Sequence, residues 1–450
     1  MRAEKGRVSC LREEFLQITA IFSPIMKGLP TITFLLVCMF LLSCSETYHP
    51  LTSIKDDVKG HQETFVINDK EKDIITHSNE FALNIFKRIV DNNPTHSTFC
   101  ATQGLIYTLN IINNGATGQT RTALCKSLGY SENDLGFIND LCHRMMLGQM
   151  MSVPDDFDRL ANDYMKTACL LISTPSLQVK KDYEEEMANS YYADVIHCPV
   201  YRMQSIVNQW CKAQTDKTIK SIPCDFIDEM DMTFLTSSVF NGTWVQRFDP
   251  TMTMDEPFTM ADGKQEKVAM MNQEDHELFY QYAKREHYSV LRMPYCGQFH
   301  LLVLLPEKGV STQNILQTLH TDSLESIDKE LDTYEIFKIK LPRFKTQTTI
   351  DYRNYLEEMG LGRMFSENAE FANISSPEPS PIALKEIRQQ NEINMDENGT
   401  WVKSAMASYM FSLAAYEKPR IIEFYADHPF IYLIRDRFGN ICFMGQYCGN

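Results

Sequence analysis

The sequence lacks the short motifs that mark several classes of enzyme. No Gly-x-Ser-x-Gly stretch occurs, and His276-Glu277 is followed by Tyr280 where the His-Glu-x-x-His pattern needs its second His. Residues 262–264 read Asp-Gly-Lys but lack the earlier, spaced glycine of a phosphate-binding loop. None of the 13 cysteines belongs to a Cys-x-x-Cys pair, and no Cys/His spacing suits zinc. We therefore expect no enzymatic activity, no metal and no cofactor.

Positive charge is scarce. Lys and Arg number 43 against 59 Asp and Glu, which gives a formal net charge of −16 at pH 7. Binding to a phosphate backbone needs a basic face, and so does electrostatic docking onto anionic lipid. The charge balance therefore argues against nucleic acid as a partner, and the 44% hydrophobic and 23% charged residues are typical of a globular protein.

The apolar run near the N-terminus is too short to cross a bilayer. Residues 31–42 supply twelve residues where roughly 20 are needed, a length that suits the core of a signal peptide. The run ends in Leu41-Leu42-Ser43-Cys44, which resembles the bacterial lipobox, where the Cys is lipidated and becomes the mature N-terminus. We predict lipid anchoring through Cys44 at the cell envelope or surface. The alternative is a plain secretory signal and an extracellular protein.

The first 43 residues are predicted to be a leader. Acidic Glu4, Glu13 and Glu14 precede the apolar run, whereas Met26-Lys27 would give a short basic start, so we predict translation from Met26. Residues 44–75 are predicted to be a tether between the membrane and a domain, because the stretch 45–72 is polar and aperiodic.

The remaining chain predicts one mixed domain over 76–450, with helices first and strands later. A 3.6-residue apolar period begins at Ser78, and no repeat or long linker divides the chain after it. Further helices are predicted near 103–114, 121–130 (closed by Gly129), 179–195, 205–219 and 349–365. Strands are predicted over 235–248, 287–295, 299–306, 333–350, 419–424, 430–436 and 441–446. The fold class is therefore α+β.

Six segments in fixed order resemble the serpin family. The closing segment 424–446 carries Phe424, Asp427, Pro429 and Phe430 at the family's spacing. The others are "GATGQTRTALCKSLGY" (115–130), "FNGTWVQRFDP" (240–250), "EPFTMADGKQEKVAMM" (256–271), "MPYCGQFHLLVLLPEKG" (293–309) and "KLPRFKTQTTIDYRNYLEEMGLGRMF" (340–365). Together the likeness covers about residues 78–448.

The resemblance implies a fold and a function. The expected fold has three β-sheets, about eight to nine helices and an exposed reactive-centre loop. The expected protein is a monomer that traps serine, or cysteine, endopeptidases: the peptidase cleaves the loop, remains bound as an acyl complex, and is distorted when the loop inserts into the central sheet. A serpin-fold binding lipoprotein that no longer inhibits is the alternative.

The hinge of the loop is assigned to Glu397, Gly399 and Thr400, which match the family's pattern. Trp401, Val402 and Lys403 depart from it. Because side chains alternate along a strand, Val402 would face inward with Thr400, whereas Trp401 and Lys403 would face outward.

The cleaved bond is predicted at Leu413-Ala414, counting forward from the hinge by the family's spacing. Counting back from the closing segment gives Glu417-Lys418 instead. The surrounding residues are apolar, so peptidases with hydrophobic primary pockets are the expected targets. The alternative cleavage residues are Met410, Phe411, Tyr416 and Glu417.

Trp244 is assigned to the region where the family's central sheet opens. Three further positions that govern sheet opening differ from the family: Ala101-Thr102 replaces Ser-Pro, Thr236 replaces Asn, and Gln389 replaces His. These changes leave the rate of loop insertion open.

Overall fold

The computed structural model describes residues 65–151, 163–215, 220–223, 232–275, 279–334, 336–375, 382, 384–400 and 421–449. Within these ranges the chain forms nine α-helices: α1 (Asp69–Asn92), α2 (Thr102–Gly115), α3 (Gly118–Leu128), α4 (Leu135–Met150), α5 (Lys181–Tyr191), α6 (Val200–Gln214), α7 (Thr312–Thr318), α8 (Thr321–Glu330) and α9 (Arg353–Leu356). None of them is long and apolar enough to cross a membrane.

Sixteen strands occur in the same ranges: β1 (Thr98–Cys100), β2 (Tyr164–Ser173), β3 (Asp194–His197), β4 (Met232–Thr243), β5 (Met254–Thr259), β6 (Gln265–Asp275), β7 (Gln281–Lys284), β8 (Tyr288–Pro294), β9 (Phe299–Pro306), β10 (Ile336–Pro342), β11 (Phe344–Asp351), β12 (Arg388–Asp396), β13 (Gly399–Thr400), β14 (Ile421–Tyr425), β15 (Phe430–Asp436) and β16 (Ile441–Tyr447).

The strands build three sheets. One has the order β1-β16-β15-β9-β8-β7, and a four-stranded sheet has the order β14-β10-β6-β5. The third, called the central sheet below, has the order β11-β12-β13-β4-β2-β3. The predicted α+β class, with three sheets and eight to nine helices, is confirmed.

Helix α1 begins earlier than its apolar period indicates. The Asn68 side chain accepts the Glu71 N–H at 3.0 Å, and the Glu71 carboxylate accepts the Asn68 N–H at 2.6 Å. This reciprocal cap satisfies two backbone donors and starts the helix at Asp69 rather than at Ser78.

Several predicted elements are wrong in extent, among them the helix predicted at 205–219, which spans Val200–Gln214, and two of them show the physical reason. The predicted helix 179–195 ends at Tyr191, because Tyr192 takes a left-handed conformation (φ 50°), and strand β3 follows from Asp194. The predicted strand 333–350 is two strands that lie in different sheets, β10 and β11. They separate after Pro342, which has no backbone N–H to extend a ladder.

Gly129 ends α3 in a left-handed conformation (φ 74°), as predicted. Eight cysteines of the described residues are buried free thiols that pack as small apolar side chains: Cys100, Cys125, Cys142, Cys169, Cys198, Cys211, Cys442 and Cys448. Burial raises the pKa of the Cys100 thiol to about 12, so it stays protonated at neutral pH.

Candidate functional site: the hinge and the strands that receive it

Strands β4 and β12 lie parallel in the central sheet but pair with each other at one end only. The ladder between them consists of Arg388 opposite Leu235 and Gln389 opposite Thr236. At the other end the two-residue strand β13 lies between them: Thr400 stands opposite Gly242 on one side and Met395 on the other.

Between these two ends, residues 237–241 of β4 and 390–394 of β12 form no ladder with each other. We call this stretch the slot. The outer edge of β12 pairs with β11 over its length, and β4 pairs with β2 from Met232 to Asn241. Their inner edges face each other across the slot.

The hinge is held by close backbone contact at the end of the slot that lies next to Gly242. A side chain at Gly399 would place its Cβ 2.0 Å from the Gly242 carbonyl oxygen, so only glycine fits there. Thr400 is 2% exposed, and its hydroxyl lies 2.6 Å from the Tyr295 hydroxyl. The first two residues of an incoming strand are thus already seated.

Glu397 fixes the approach to the hinge. Its carboxylate is almost fully buried and accepts hydrogen bonds from the Thr253 hydroxyl (2.7 Å) and the Arg343 guanidinium (3.2 Å). Its carbonyl oxygen accepts the Phe248 N–H at 3.0 Å. A buried carboxylate needs such partners, since an unpaired one is strongly disfavoured.

Trp244 packs directly against the hinge. Its indole stacks on the Tyr295 ring with centroids 4.4 Å apart, and its Nε1–H donates to the Asp396 carbonyl at 3.0 Å. Its backbone N–H donates to the Asn398 carbonyl at 3.0 Å. Trp244, which directly follows β4, is therefore bonded to Asp396 and Asn398 in the segment that leads to Gly399.

A buried acid lies on the far side of β4 from the hinge. Oδ1 of Asp163 accepts the Thr243 N–H at 3.0 Å, and Thr243 stands opposite Gly399. Burial raises the pKa of the Asp163 carboxyl to about 7. It is therefore part protonated at neutral pH.

Gln389 stabilises the end of the slot at which β4 and β12 pair with each other. Its side chain is buried, donates to the Ala101 carbonyl (3.1 Å) and accepts the Ala101 N–H (3.2 Å). The Tyr352 hydroxyl donates to the same amide oxygen at 2.8 Å. Thr236 bonds to the Thr108 hydroxyl of α2. All three positions that depart from the family pattern thus meet at this end.

The structure brings together Glu397, Gly399, Thr400 and Trp244. The predicted cleavage residues and the lipid anchor lie outside the described residues: Cys44, Met410, Phe411, Leu413, Ala414, Tyr416 and Glu417. So do Trp401, Val402 and Lys403. Sequence reasoning missed Asp163, Tyr295, Thr253 and Arg343. These are single polar residues far from the hinge in the sequence, and no sequence pattern links them to it.

Comparison with known proteins identifies the family. A family model described as Serpin (serine protease inhibitor) matches residues 76–449, and the chain belongs to this family. Serpin B9 of Homo sapiens is 26% identical over 383 residues, which cover 82% of this chain and 97% of that protein.

Solved structures share the fold. The thermophilic serpin tengpin in its native state matches with a TM-score of 0.73 and 21% identity, over 86% of this chain and 96% of that one. Thyroxine-binding globulin in complex with thyroxine matches with a TM-score of 0.73 and 19% identity, over 84% and 99%.

Proposed function

We propose that this protein is a suicide inhibitor of serine endopeptidases, and of cysteine endopeptidases by the same route, with hydrophobic primary specificity. The observation that carries the proposal is the seated hinge: Gly399 and Thr400 pair with both β4 and β12, and beyond them these two strands form no ladder with each other until Thr236 and Gln389. A cleaved loop that is attached to this hinge could continue as a new strand between β4 and β12.

The proposed reaction begins as ordinary peptide cleavage. The peptidase nucleophile attacks the Leu413 carbonyl, an ester or thioester forms at that carbon, and the amine of Ala414 leaves with the proton delivered by the catalytic His. The freed loop then enters the slot and carries the bound peptidase with it. Strain on the peptidase displaces its oxyanion hole, so water does not complete the hydrolysis.

The chain is not proposed to be an enzyme, since the peptidase supplies the chemistry. We further propose export and attachment to the cell envelope or surface through a lipid on Cys44, with endopeptidases outside the cell as the partners. The support for this is the apolar run and the Leu41-Leu42-Ser43-Cys44 segment.

A trapping assay tests the proposal. The full chain is mixed with chymotrypsin, pancreatic elastase, subtilisin, a papain-like enzyme and trypsin, and the products are separated on denaturing gels. We expect a band at the summed mass that survives SDS, with cleavage after one residue in 409–417. Clean cleavage without such a band, and without a gain in thermal stability, would favour the alternative of a serpin-fold binding lipoprotein.

Thr400→Arg is predicted to turn the inhibitor into a substrate. The Thr400 side chain is buried beside Tyr295, and burying a guanidinium there without a carboxylate is strongly disfavoured. We expect loop cleavage at the normal rate and at least about a tenfold loss of the covalent complex.

The matched control is Thr400→Ser, which keeps the hydroxyl that meets Tyr295. This variant should trap as the original does. Equal trapping by Thr400→Arg would contradict the role given to the hinge.

A further inference from the structure

Strand β14 is held in its sheet by a short ladder. It pairs in parallel with β10 over five residues, from Ile421 opposite Ile336 to Tyr425 opposite Lys340. Its residues are exposed or partly exposed except for Phe424, which is buried. A strand with so little buried apolar surface opens easily unless contacts outside its ladder hold it.

The segment that follows β14 supplies such contacts. Residues 426–428, which we call the junction, lie between β14 and the start of β15. The Ala426 N–H donates to the Lys340 carbonyl of β10 at 2.9 Å. The Asp427 carbonyl oxygen accepts the Thr259 N–H of β5 at 2.8 Å. The backbone of the junction therefore binds to two further strands of the four-stranded sheet.

His428 connects the junction to a different sheet, and both of its ring nitrogens face hydrogen-bond acceptors. Nδ1 lies 2.7 Å from Oδ1 of Asp427, and Nε2 lies 2.8 Å from the carbonyl oxygen of Pro306 in β9. A carbonyl oxygen and an ionised carboxylate only accept, whereas neutral imidazole carries one N–H and imidazolium carries two. Both contacts are therefore hydrogen bonds only when the ring is protonated.

The Asp427 carboxyl does not supply the second proton. Burial opposes its ionisation, but the bonds from His428 and from the Lys308 ammonium (3.2 Å) outweigh burial, so the pKa of the Asp427 carboxyl is lowered from its ordinary value. It is thus an acceptor at neutral pH and above. The two hydrogen bonds of the ring depend on the proton of the imidazole itself.

The charged side chains on the neighbouring elements have other partners. The His428 side chain is 14% exposed, so its surroundings are set by these elements. The charged pairs are Lys308 with Asp427, Glu307 with Lys284, Asp262 with Lys264, and Lys340 with Glu256. A second histidine on the segment before β1, His96, lies beside the Thr95 hydroxyl. Among the described residues, Asp427 is the carboxylate that bonds to the ring.

We propose that His428 is a positioning residue: its protonated ring locks the C-terminal end of the reactive-centre loop, and the lock weakens as the pH rises. β14 is the first described element after the loop, so the junction fixes where the loop ends. Loss of the ring proton removes one of the two hydrogen bonds and the attraction to Asp427. The stabilisation is complete while the ring is protonated and is lost on the alkaline side. The inference rests on the proposed function only in that the positioned loop is the one offered to a peptidase.

Hydrogen exchange of the full chain, measured by mass spectrometry, tests the lock. Exchange of the β14 amides is measured at pH 6 and pH 9, corrected for the intrinsic rate, and compared with β16, whose residues are all buried. We expect the protection of β14 relative to β16 to fall about tenfold or more at the higher pH, the scale of one hydrogen bond to a charged group.

Two substitutions at the same position bracket this result. His428→Arg keeps several N–H donors and a positive charge at both pH values, so the protection of β14 should stay high. His428→Gln is neutral at both and should show low protection throughout, which keeps the test decisive if the arginine variant does not fold. The matched control is His287→Gln: the His287 side chain is 63% exposed and lies beside Glu286. This variant should follow the original protein.

The outcomes separate the lock from the proposed function. A fall in β14 protection that is as large in His428→Arg as in the original protein overturns the lock, and so does equal protection of the original protein at both pH values. Neither result bears on whether a peptidase is trapped. Absence of a covalent complex in the trapping assay, together with β14 protection that depends on pH in the original protein alone, overturns the inhibitor proposal and supports the lock.

Discussion

At the scale of single residues, the buried Asp163 has a consequence for pH dependence. Its carboxyl pKa is raised from 3.8 to about 7 by burial, and its second oxygen has no hydrogen-bond partner among the described residues. Between pH 4 and pH 7 the folded chain therefore holds a proton that the unfolded chain releases. Its contribution to stability is present below pH 4 and is lost as pH rises through 7.

Asp163→Asn is predicted to flatten this dependence. The amide keeps an oxygen for the Thr243 N–H and carries no charge at any pH. We expect the Tm of the original protein to fall more than that of the variant between pH 4 and pH 8. The corresponding loss in free energy of unfolding is up to about 4 kcal/mol. Thermal denaturation at several pH values measures it.

Asp249→Asn is the control for this substitution. Asp249 accepts the Thr251 N–H in the same way but is fully exposed, and its pKa is lowered by that bond. Its replacement should shift the Tm by the same amount throughout pH 5 to 8 and change the slope of Tm against pH only near and below pH 4. Parallel curves for the original protein and Asp163→Asn would show that the Asp163 carboxyl is not the group responsible.

At the scale of secondary-structure elements, Gln389 connects β12 to the start of α2. The amide is a neutral side chain in a buried place, and it satisfies the Ala101 carbonyl and the Tyr352 hydroxyl. The two elements are thus joined by bonds that do not titrate.

Gln389→Leu is predicted to destabilise the intact protein by about 2 kcal/mol, because buried polar groups lose their partner. The expected result is a lower Tm and a faster uptake of an added acetylated peptide with the sequence of residues 401–413, followed by native electrophoresis. Gln390→Leu is the matched control: Gln390 neighbours it on β12, but its amide oxygen has no partner in the described part of the chain. That variant should be neutral, and equal losses in both would contradict the assignment.

The elements that sequence patterns predicted well are those with a regular apolar period and clear ends. Helix α3 ends at Gly129 as predicted, and β8, β9, β15 and β16 lie close to their predicted ranges. The segment 333–350 was predicted less well. Its alternation of apolar and polar residues continues past Pro342, so the pattern does not reveal that the chain passes from one sheet to another there.

The sequence does not predict that Gly399 and Thr400 form the strand β13. It has two residues, and its conformation is set by the strands on either side rather than by its own preferences. The hinge residues were identified from their resemblance to the family, whereas the ring of Tyr295, Thr253 and Arg343 around them depends on tertiary packing.

At the scale of the whole molecule, the proposed insertion would complete the central sheet at the slot. Among the described residues, 237–241 of β4 and 390–394 of β12 form no ladder with each other. A strand that fills the slot adds ladder hydrogen bonds on both sides, at about 1 kcal/mol net for each bond.

Cleavage within 409–417 is therefore predicted to raise the Tm, with a gain of several kcal/mol in free energy of unfolding. Differential scanning calorimetry before and after limited proteolysis measures the change. The Thr400→Arg variant, cut at the same position, should show no rise. An unchanged Tm in the cleaved original protein would contradict insertion.

The seated hinge also bears on competition between molecules. Since Gly399 and Thr400 are already in register, the rest of the chain's own loop is tethered beside the slot. Short tethers give effective concentrations in the millimolar range, so at micromolar protein the loop of a neighbouring molecule competes at a disadvantage of about a thousandfold. The proposed insertion is then expected to be a first-order event, with a rate that does not depend on protein concentration.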